Sequence, residues 1–257
     1  MNILFVGDIT GEAGLEKARQ ELGRLRRQYQ ADLVVVNGEN AAERNGITER
    51  QFRELRFAGA DVVTMGNHTW ANGEIYQFID REEALVRPLN YPEGTPGRGY
   101  TLVDMGRNQV AVVNLLGNVY VSTLPSPFTV IDGLLEQLQR QGVHHILIDF
   151  HGEATSEKLA FAHYVDGRVS AVLGTHTHVQ TADACILSRG TAYISDVGMT
   201  GAIDSVLGVK TEQSVQQFVT QIPVRFQHAE GAARLCAVAV ELDDKTGRAR
   251  GIERIQV

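Results

Sequence analysis

The sequence predicts an α/β protein in which two sheets pack together between helices. Three observations lead there. Before the last quarter of the chain, short apolar runs of strand character alternate with segments whose apolar residues recur at steps of three and four. The last quarter reads mostly as strand, so the sheets hold more than the alternating units supply. Five of the apolar runs also stop at polar side chains, and open α/β sheets bind ligands at the carboxyl ends of their strands.

The elements come in this order. Residues 2–6 open as a strand, and residues 12–29 then place Leu15, Ala18, Leu22, Leu25 and Tyr29 on one helical face. Residues 33–36 form the next strand. Ile47 and Thr48, followed by Gln51 and Phe52, spell a capping box with a hydrophobic staple, so a helix begins near Glu49. Gly59 stops it, and residues 62–65 return as a strand. Residues 87–99 (RPLNYPEGTPGRG) are a long loop rather than a domain boundary, because the pattern continues beyond them. One domain over 1–257 is the expectation. Two runs around residues 104–107 read as a hairpin. A helix at about 131–141 leads to a strand at 146–150, and a helix near 157–165 precedes a strand at 171–173. The runs AYISDVG, IPVRFQ, RLCAVAVELDD and IERIQV make the β-rich end.

Bulk properties bound the function. With 257 residues, 43% hydrophobic and 21% charged, the composition is that of a soluble globular protein. A net charge of −7 argues against stable nucleic-acid binding, which needs a cationic surface. It leaves room for a small anionic substrate held by a local positive centre. Cys185 and Cys236 form no CxxC pair, which fits a reducing compartment. No run approaches the length of a membrane span, and the start lacks the basic region and long apolar core of a signal peptide. A cytoplasmic protein is expected, with homo-oligomerisation left open.

The polar residues at the strand ends carry the chemistry. The blocks NILFVGD, LVVVNGEN, VVTMGNH, ILIDFH and AVLGTHTH deliver Asp8, Glu39, Asn40, Asn67, His68, His151, His176 and His178 to neighbouring tips. These are oxygen and nitrogen donors with no thiolate, a set suited to Mn, Fe or Zn. Seven or so donors exceed the needs of one tetrahedral ion and point to two ions sharing a carboxylate. Two divalent ions bring +4, against −2 from Asp8 and Glu39 and −1 from a bridging hydroxide. The remaining positive charge can draw a phosphate to an acidic protein. Gly7, Gly38, Gly66 and Gly174 are read as places where the backbone turns sharply to aim the next side chain.

The ordered blocks D…GEN…GNH…H…GTHTH resemble the calcineurin-like metallophosphoesterase superfamily, from Asp8 to His178. Departures from the usual signature are Thr10 in place of a histidine, GEN in place of G-D, and Thr69 after Asn67-His68. Together with the Gly-rich stretch 198–208 they resemble the YmdB-like branch of phosphatases and phosphodiesterases active on cyclic nucleotides. The resemblance implies a four-layer α/β/β/α metallophosphoesterase sandwich with two mixed sheets. It implies two divalent ions, iron or manganese ahead of zinc. Asp8, Glu39, Asn40 and His178 would hold one ion; Glu39, Asn67, His151 and His176 would hold the other. An alignment that puts Asn40 at the bridge is also open, but a neutral bridge between two cations is electrostatically poor. His68 would act as general acid. The implied reaction is attack of a metal-bound hydroxide on a phosphodiester, 2′,3′- or 3′,5′-cyclic nucleotides included.

Alternatives stand beside these readings. A phosphomonoesterase uses the same chemistry, and a metal-dependent regulatory protein without turnover would keep the same donors. A dinucleotide-binding module fits poorly, since residues 7–14 (GDITGEAG) lack the G-x-G-x-x-G spacing. Asp8 and Asn67 are also helix-capping types. Trp70 either stacks on a base or packs under its loop, and Asp149 either orients a histidine or faces solvent. Residues 198–208 either cover the site or only connect. His144, His145, His163 and His228 are assigned surface or packing roles.

Overall fold

A computed structural model describes residues 1–257. In chain order the elements are β1 (Asn2–Val6), β2 (Asp8–Ile9), α1 (Gly11–Gln28), β3 (Leu33–Asn37), α2 (Glu49–Ala58), β4 (Val62–Thr64) and β5 (Leu85–Val86). Then come β6 (Tyr100–Asp104), β7 (Gln109–Leu116), α3 (Pro127–Arg140), β8 (His145–His151), α4 (Thr155–Val165), β9 (Ala171–Thr175), β10 (Cys185–Ile186) and β11 (Ala192–Ile194). The chain ends with β12 (Met199–Ala202), α5 (Thr211–Thr220), β13 (Ala233–Arg234), β14 (Cys236–Leu242) and β15 (Ala249–Gln256).

Two six-stranded sheets form, in the orders β15-β14-β1-β3-β4-β5 and β10-β11-β9-β8-β7-β6. Each is mixed. β1, β3, β4 and β5 run parallel, with β14 antiparallel to β1 and β15 antiparallel to β14 at one edge. β7, β8, β9 and β11 run parallel between antiparallel β6 and β10. Strand alternation explains the layering. Ile3, Phe5, Leu33 and Val35 of the first sheet meet Val110, Val112, Leu147 and Leu173 of the second in one apolar layer. The opposite faces, Leu4, Val6, Val34 and Val36, pack on Leu15, Ala18, Leu22 and Leu55 of α1 and α2. Val113, Ile148 and Val172 pack on Ile131, Leu138, Phe161 and Val165 of α3 and α4. The result is helix, sheet, sheet, helix, with parallel strands of both sheets ending along one rim. No helix is long and apolar enough to cross a membrane.

The local expectations hold where the signal is local. Thr48 and Gln51 make the capping box, and Gly59 ends α2 at φ 118°. The hairpin is β6–β7. Two readings fail. α3 begins at Pro127, in the first-turn position that proline tolerates. The run IPVRFQ is not a strand, and the helix α5 that precedes it has no counterpart in the sequence expectation. Backbone amides there are taken by helix side chains instead of a ladder: Val224 N donates to Gln217 Oε1 (3.2 Å) and Gln227 N to Gln213 Oε1 (2.7 Å).

Thr48→Ala removes the side-chain half of the α2 cap and should lower stability by about 1 kcal/mol. A shift of the urea midpoint with unchanged slope would show it, and an unchanged midpoint would mean the cap carries no net stability.

Candidate metal centre at the strand tips

Five strand ends supply the site, three from the first sheet's strands and two from the second's. Asp8 lies on β2 just past β1, Glu39 and Asn40 follow β3, Asn67 and His68 follow β4, His151 ends β8, and His176 and His178 follow β9. Asp8, Glu39, Asn40 and His151 are buried, and the other four are half-buried.

The glycines act through space rather than through turning. Gly7, Gly38, Gly66 and Gly174 all lie outside the left-handed region. A Cβ on Gly66 would lie 2.2 Å from Glu39 Oε2 and 2.4 Å from His151 Cδ2, and one on Gly174 would lie 1.8 Å from Ser195 O. The bends fall instead on the histidines, His176 at φ 104° and His178 at φ 65°. Such conformations cost on the order of 1–3 kcal/mol each and persist only when neighbours impose them. Here His176 N donates to Asp8 Oδ2 (3.2 Å), and Thr177 donates from N (2.9 Å) and Oγ1 (2.7 Å) to Asp196 Oδ2. The buried Lys158 ammonium ties Asp196 Oδ2 (3.0 Å) to Thr175 O (2.8 Å). Sequence reading missed this clamp. The signal was present: Lys158 shares the buried face of α4 with Phe161, Ala162 and Val165.

Each inner imidazole is oriented from outside. His151 Nδ1 donates to Thr175 Oγ1 (2.8 Å), whose hydroxyl donates to Asp149 Oδ1 (2.6 Å). Asn37 Nδ2 (2.9 Å) and Thr64 Oγ1 (2.5 Å) hold Asp149 Oδ2. Asp149 is therefore an internal anchor for a histidine, not a solvent-facing carboxylate. His176 Nε2 is 3.1 Å from Glu153 Oε2, and His178 Nδ1 donates to Leu207 O (2.9 Å). The remaining nitrogens, His151 Nε2, His176 Nδ1 and His178 Nε2, thus present lone pairs to the interior of the cluster.

Those lone pairs meet oxygens. His151 Nε2 is 3.0 Å from Glu39 Oε1, 3.0 Å from Asn67 Oδ1 and 3.1 Å from His176 Nδ1. Ligands each ~2.1 Å from one ion stand roughly 3.0–3.4 Å apart, so the spacing is that of atoms around a shared cation. Glu39, His151 and His176 offer donor atoms that all lie within 4.8 Å of one another. Asp8 Oδ1 is buried with no hydrogen-bond partner, an orphan that a cation would satisfy. Its Oδ2 accepts from His176 N and Asn67 Oδ1 faces His151, so neither residue caps a helix. Asn40 is next to His178, with Nδ2 3.2 Å from His178 Nε2, while its Oδ1 accepts from His68 Nδ1 (2.8 Å). Coordination through Oδ1 would need the amide to turn over.

Charge explains the titration. Burial opposes a proton on His151, but Glu39, Asp8 and Asp149 outweigh it and raise the pKa to about 9. Burial, reinforced by His151, pushes His176 down to about 3, so that ring stays neutral. Burial also raises Asp8, and it lifts Asp149 to about 6. Glu39 is held well below the usual carboxylate range because His151 and His68 outweigh its burial. The proton on His151 occupies the place that the donors shape for a cation.

Glu39, Asn40, His68, His176 and His178 line one cavity of about 330 Å³. His228, given a surface or packing role from sequence, also lines it, and its Nδ1 is buried without a partner. No spacing in the sequence links it to the other histidines. Leu207 and Val209 form another wall, so residues 198–208 flank the site and do more than connect. Trp70 stacks on Tyr76 (5.1 Å between centroids) and meets Tyr91 edge-on (5.7 Å), which is packing under its loop.

Comparison with known proteins places the chain in a family. The family model described as YmdB-like protein matches residues 4–255. A 2′,3′-cyclic-nucleotide 2′-phosphodiesterase of Bacillus subtilis (strain 168) is 49% identical over 257 residues, covering 100% of this chain and 97% of the relative. The crystal structure of a hypothetical protein from Thermus thermophilus has a TM-score of 0.94 at 43% identity, covering 100% of this chain and 99% of that one. A phosphatase from Mycoplasma pneumoniae has a TM-score of 0.94 at 35% identity, with 100% and 93% covered.

A raised folded-state pKa stabilises below the unfolded value and is lost as pH climbs through the folded one. The metal-free protein should therefore lose stability between about pH 6.5 and about pH 9 as His151 gives up its second proton. Melting temperatures of chelator-treated protein across that range test this. His151→Gln should flatten the slope, and a slope equal to wild type would assign the loss elsewhere.

Proposed function

Because the chain belongs to the YmdB-like family, we propose that it hydrolyses phosphodiesters, 2′,3′-cyclic nucleotides among them, at a centre of two divalent ions. It is a phosphoric ester hydrolase, as its relatives are. The observation that carries the proposal is the convergence of donor atoms from three imidazoles, two carboxylates and the Asn67 amide at the strand tips, with Asn40 beside them and able to join once its amide turns over. The donors fall into two groups that share Glu39. Asn67, His151 and His176 crowd one side of it. Asn40 and His178 lie together, with Asn40 Nδ2 3.1 Å from Glu39 Oε1, and with Asp8 they make the second set. Nitrogen and oxygen donors without thiolate suit iron, manganese or zinc, and the family resemblance puts iron or manganese first. When bound, such a pair of ions supplies a nucleophilic oxygen at neutral pH and positive charge for the phosphoryl oxygens.

The chain's own groups do the rest. Glu39 and Asp8 offset part of the metal charge and leave a net positive face for an anionic ester. Asp149 through Thr175, Glu153 and Leu207 O fix the tautomers of the three imidazoles. His68 is assigned as general acid. Its Nδ1 is held by Asn40 Oδ1 and lies 3.2 Å from Glu39 Oε1, which leaves Nε2 in the cavity beside Asn45 Nδ2 (3.3 Å). Delivering a proton from Nε2 to a departing alkoxide requires the imidazolium form, with the Asn45 amide turned so that it no longer donates to that nitrogen. Neither cysteine lines the cavity. The first sheet needs β14 and β15 beside β1, which supports one domain over 1–257. A cytoplasmic setting completes the reading. A phosphomonoesterase is the second reading, favoured by the name of the Mycoplasma pneumoniae relative.

Mn²⁺-supported hydrolysis of bis(p-nitrophenyl) phosphate should be clear for wild type and collapse in Glu39→Gln, as expected when a carboxylate shared by the two ions is lost. Wild-type turnover of p-nitrophenyl phosphate alone would favour the monoesterase, and no metal-dependent turnover of either would sink the proposal. His68→Ala should cost about 10²–10⁴-fold with a ribose leaving group and much less with p-nitrophenolate, which needs no proton. Equal losses would remove His68 from the acid role.

A further inference from the structure

Asn67 lines a second cleft, of about 540 Å³, that shares no lining residue with the histidine-walled cavity. Its chemistry is different. Tyr91, Leu116, Tyr120, Val121 and Leu124 give it two aromatic rings and an aliphatic wall beside the polar Asn67, Asn118, Ser122 and Thr123, and it opens directly beside the donor cluster.

The loop that forms its far wall is fixed at both ends. Buried Asn90 accepts from Leu116 N (3.0 Å) and donates to Leu116 O (2.8 Å) and Pro125 O (3.1 Å). Gly117 N donates to His151 O (2.8 Å), which ties the loop to a strand tip. Glu157 accepts from Asn118 N (2.9 Å) and Val119 N (3.1 Å), and Asn118 Nδ2 closes the loop onto Leu124 O (2.5 Å). At the crest of this pinned loop Tyr120 takes φ 64° and leaves its side chain 91% exposed. A left-handed backbone at a bulky residue is a cost, and loop packing gains nothing from a ring held in water. Tyr91 differs. Trp70 meets its ring edge-on and the Arg87 guanidinium lies 5.9 Å from its centroid, so it is a fixed wall.

We infer that this cleft is the subsite for the heterocyclic base of a nucleotide substrate, with Tyr120 stacking on the base and Tyr91 as the fixed wall. The inference rests on the phosphodiesterase reading and deepens it by placing the base on the Asn67 side of the centre. The phosphate would then bridge to the cavity where His68 stands. Stacking on an aromatic face tolerates any base, so purine and pyrimidine nucleotides should both use it.

The test compares 2′,3′-cyclic AMP with glycerol 1,2-cyclic phosphate, which keeps the five-membered diester ring and lacks a base. Tyr120→Ala should raise KM for the nucleotide at least roughly tenfold, the scale of one lost stacking contact. kcat should stay within about threefold, and both constants for the glycerol ester should be unchanged. Tyr120→Phe should restore the nucleotide KM. An unchanged nucleotide KM, or equal losses on both esters, overturns the subsite. Calorimetric binding of adenosine 3′-monophosphate to the Mn²⁺-loaded protein reads it without turnover. Weaker binding by Tyr120→Ala supports the subsite even where cyclic diesters are not hydrolysed, which would count against the reaction alone. Equal binding by the two proteins, or no binding by wild type, overturns it.

Discussion

A surplus of lone pairs at one rim of the molecule governs the rest of this structure. His151 Nε2, His176 Nδ1, Glu39 Oε1 and Asn67 Oδ1 crowd within hydrogen-bond distance, although three of the four carry no proton to share. Atoms of this kind repel unless positive charge lies among them. In the protein alone a second proton on His151 meets part of the need, and Asp8 Oδ1 is left without any partner. A fold under no other demand would let these side chains swing outward to water. They are prevented from doing so by contacts that contribute nothing to a hydrophobic core: the Asp149–Thr175 chain, the Lys158–Asp196 clamp, and a glycine at 66 with no room for a methyl group.

The sandwich makes such a rim available. Parallel strands of both sheets end on the same side, and an apolar layer between the sheets holds those ends in fixed register. β2 and β12 then pair through Met199 and Asp8, so the segment that flanks the site is itself locked to a donor. Leu207 O, in the same segment, selects the tautomer of His178. Stability is spent here on aim. The buried Lys158–Asp196 pair is weak evidence for stability as such, since its desolvation is costly, but it accounts for two neighbouring histidine positions in left-handed backbone.

Much of this was legible in the sequence, for identifiable reasons. Strand ends, the α2 cap and the polar residues that converge at the strand tips are written in short segments whose side-chain periods and turn residues act locally. The four-layer arrangement followed from alternation plus a β-rich end and from the resemblance. Four features were not legible. α5 is glutamine-rich with one buried residue, Ser214, so no apolar stripe announces it. His228 reaches the cavity only because its ring packs against Gly11, a tertiary contact. Asp149 lies on a strand of uniformly buried residues, where alternation cannot reveal which face it takes. The glycines were assigned the wrong reason, since lack of space looks the same in sequence as freedom to turn.

The central claim is that the strand tips hold two ions and that Glu39 lies between them. Crystals grown with Mn²⁺ and measured on either side of the manganese absorption edge would test it most directly. Two anomalous peaks per chain, one among Asn67, His151 and His176 and one beside Asp8, Asn40 and His178, with Glu39 touching both, are the predicted result. A single peak confined to Glu39, His151 and His176, or none at all, would contradict it.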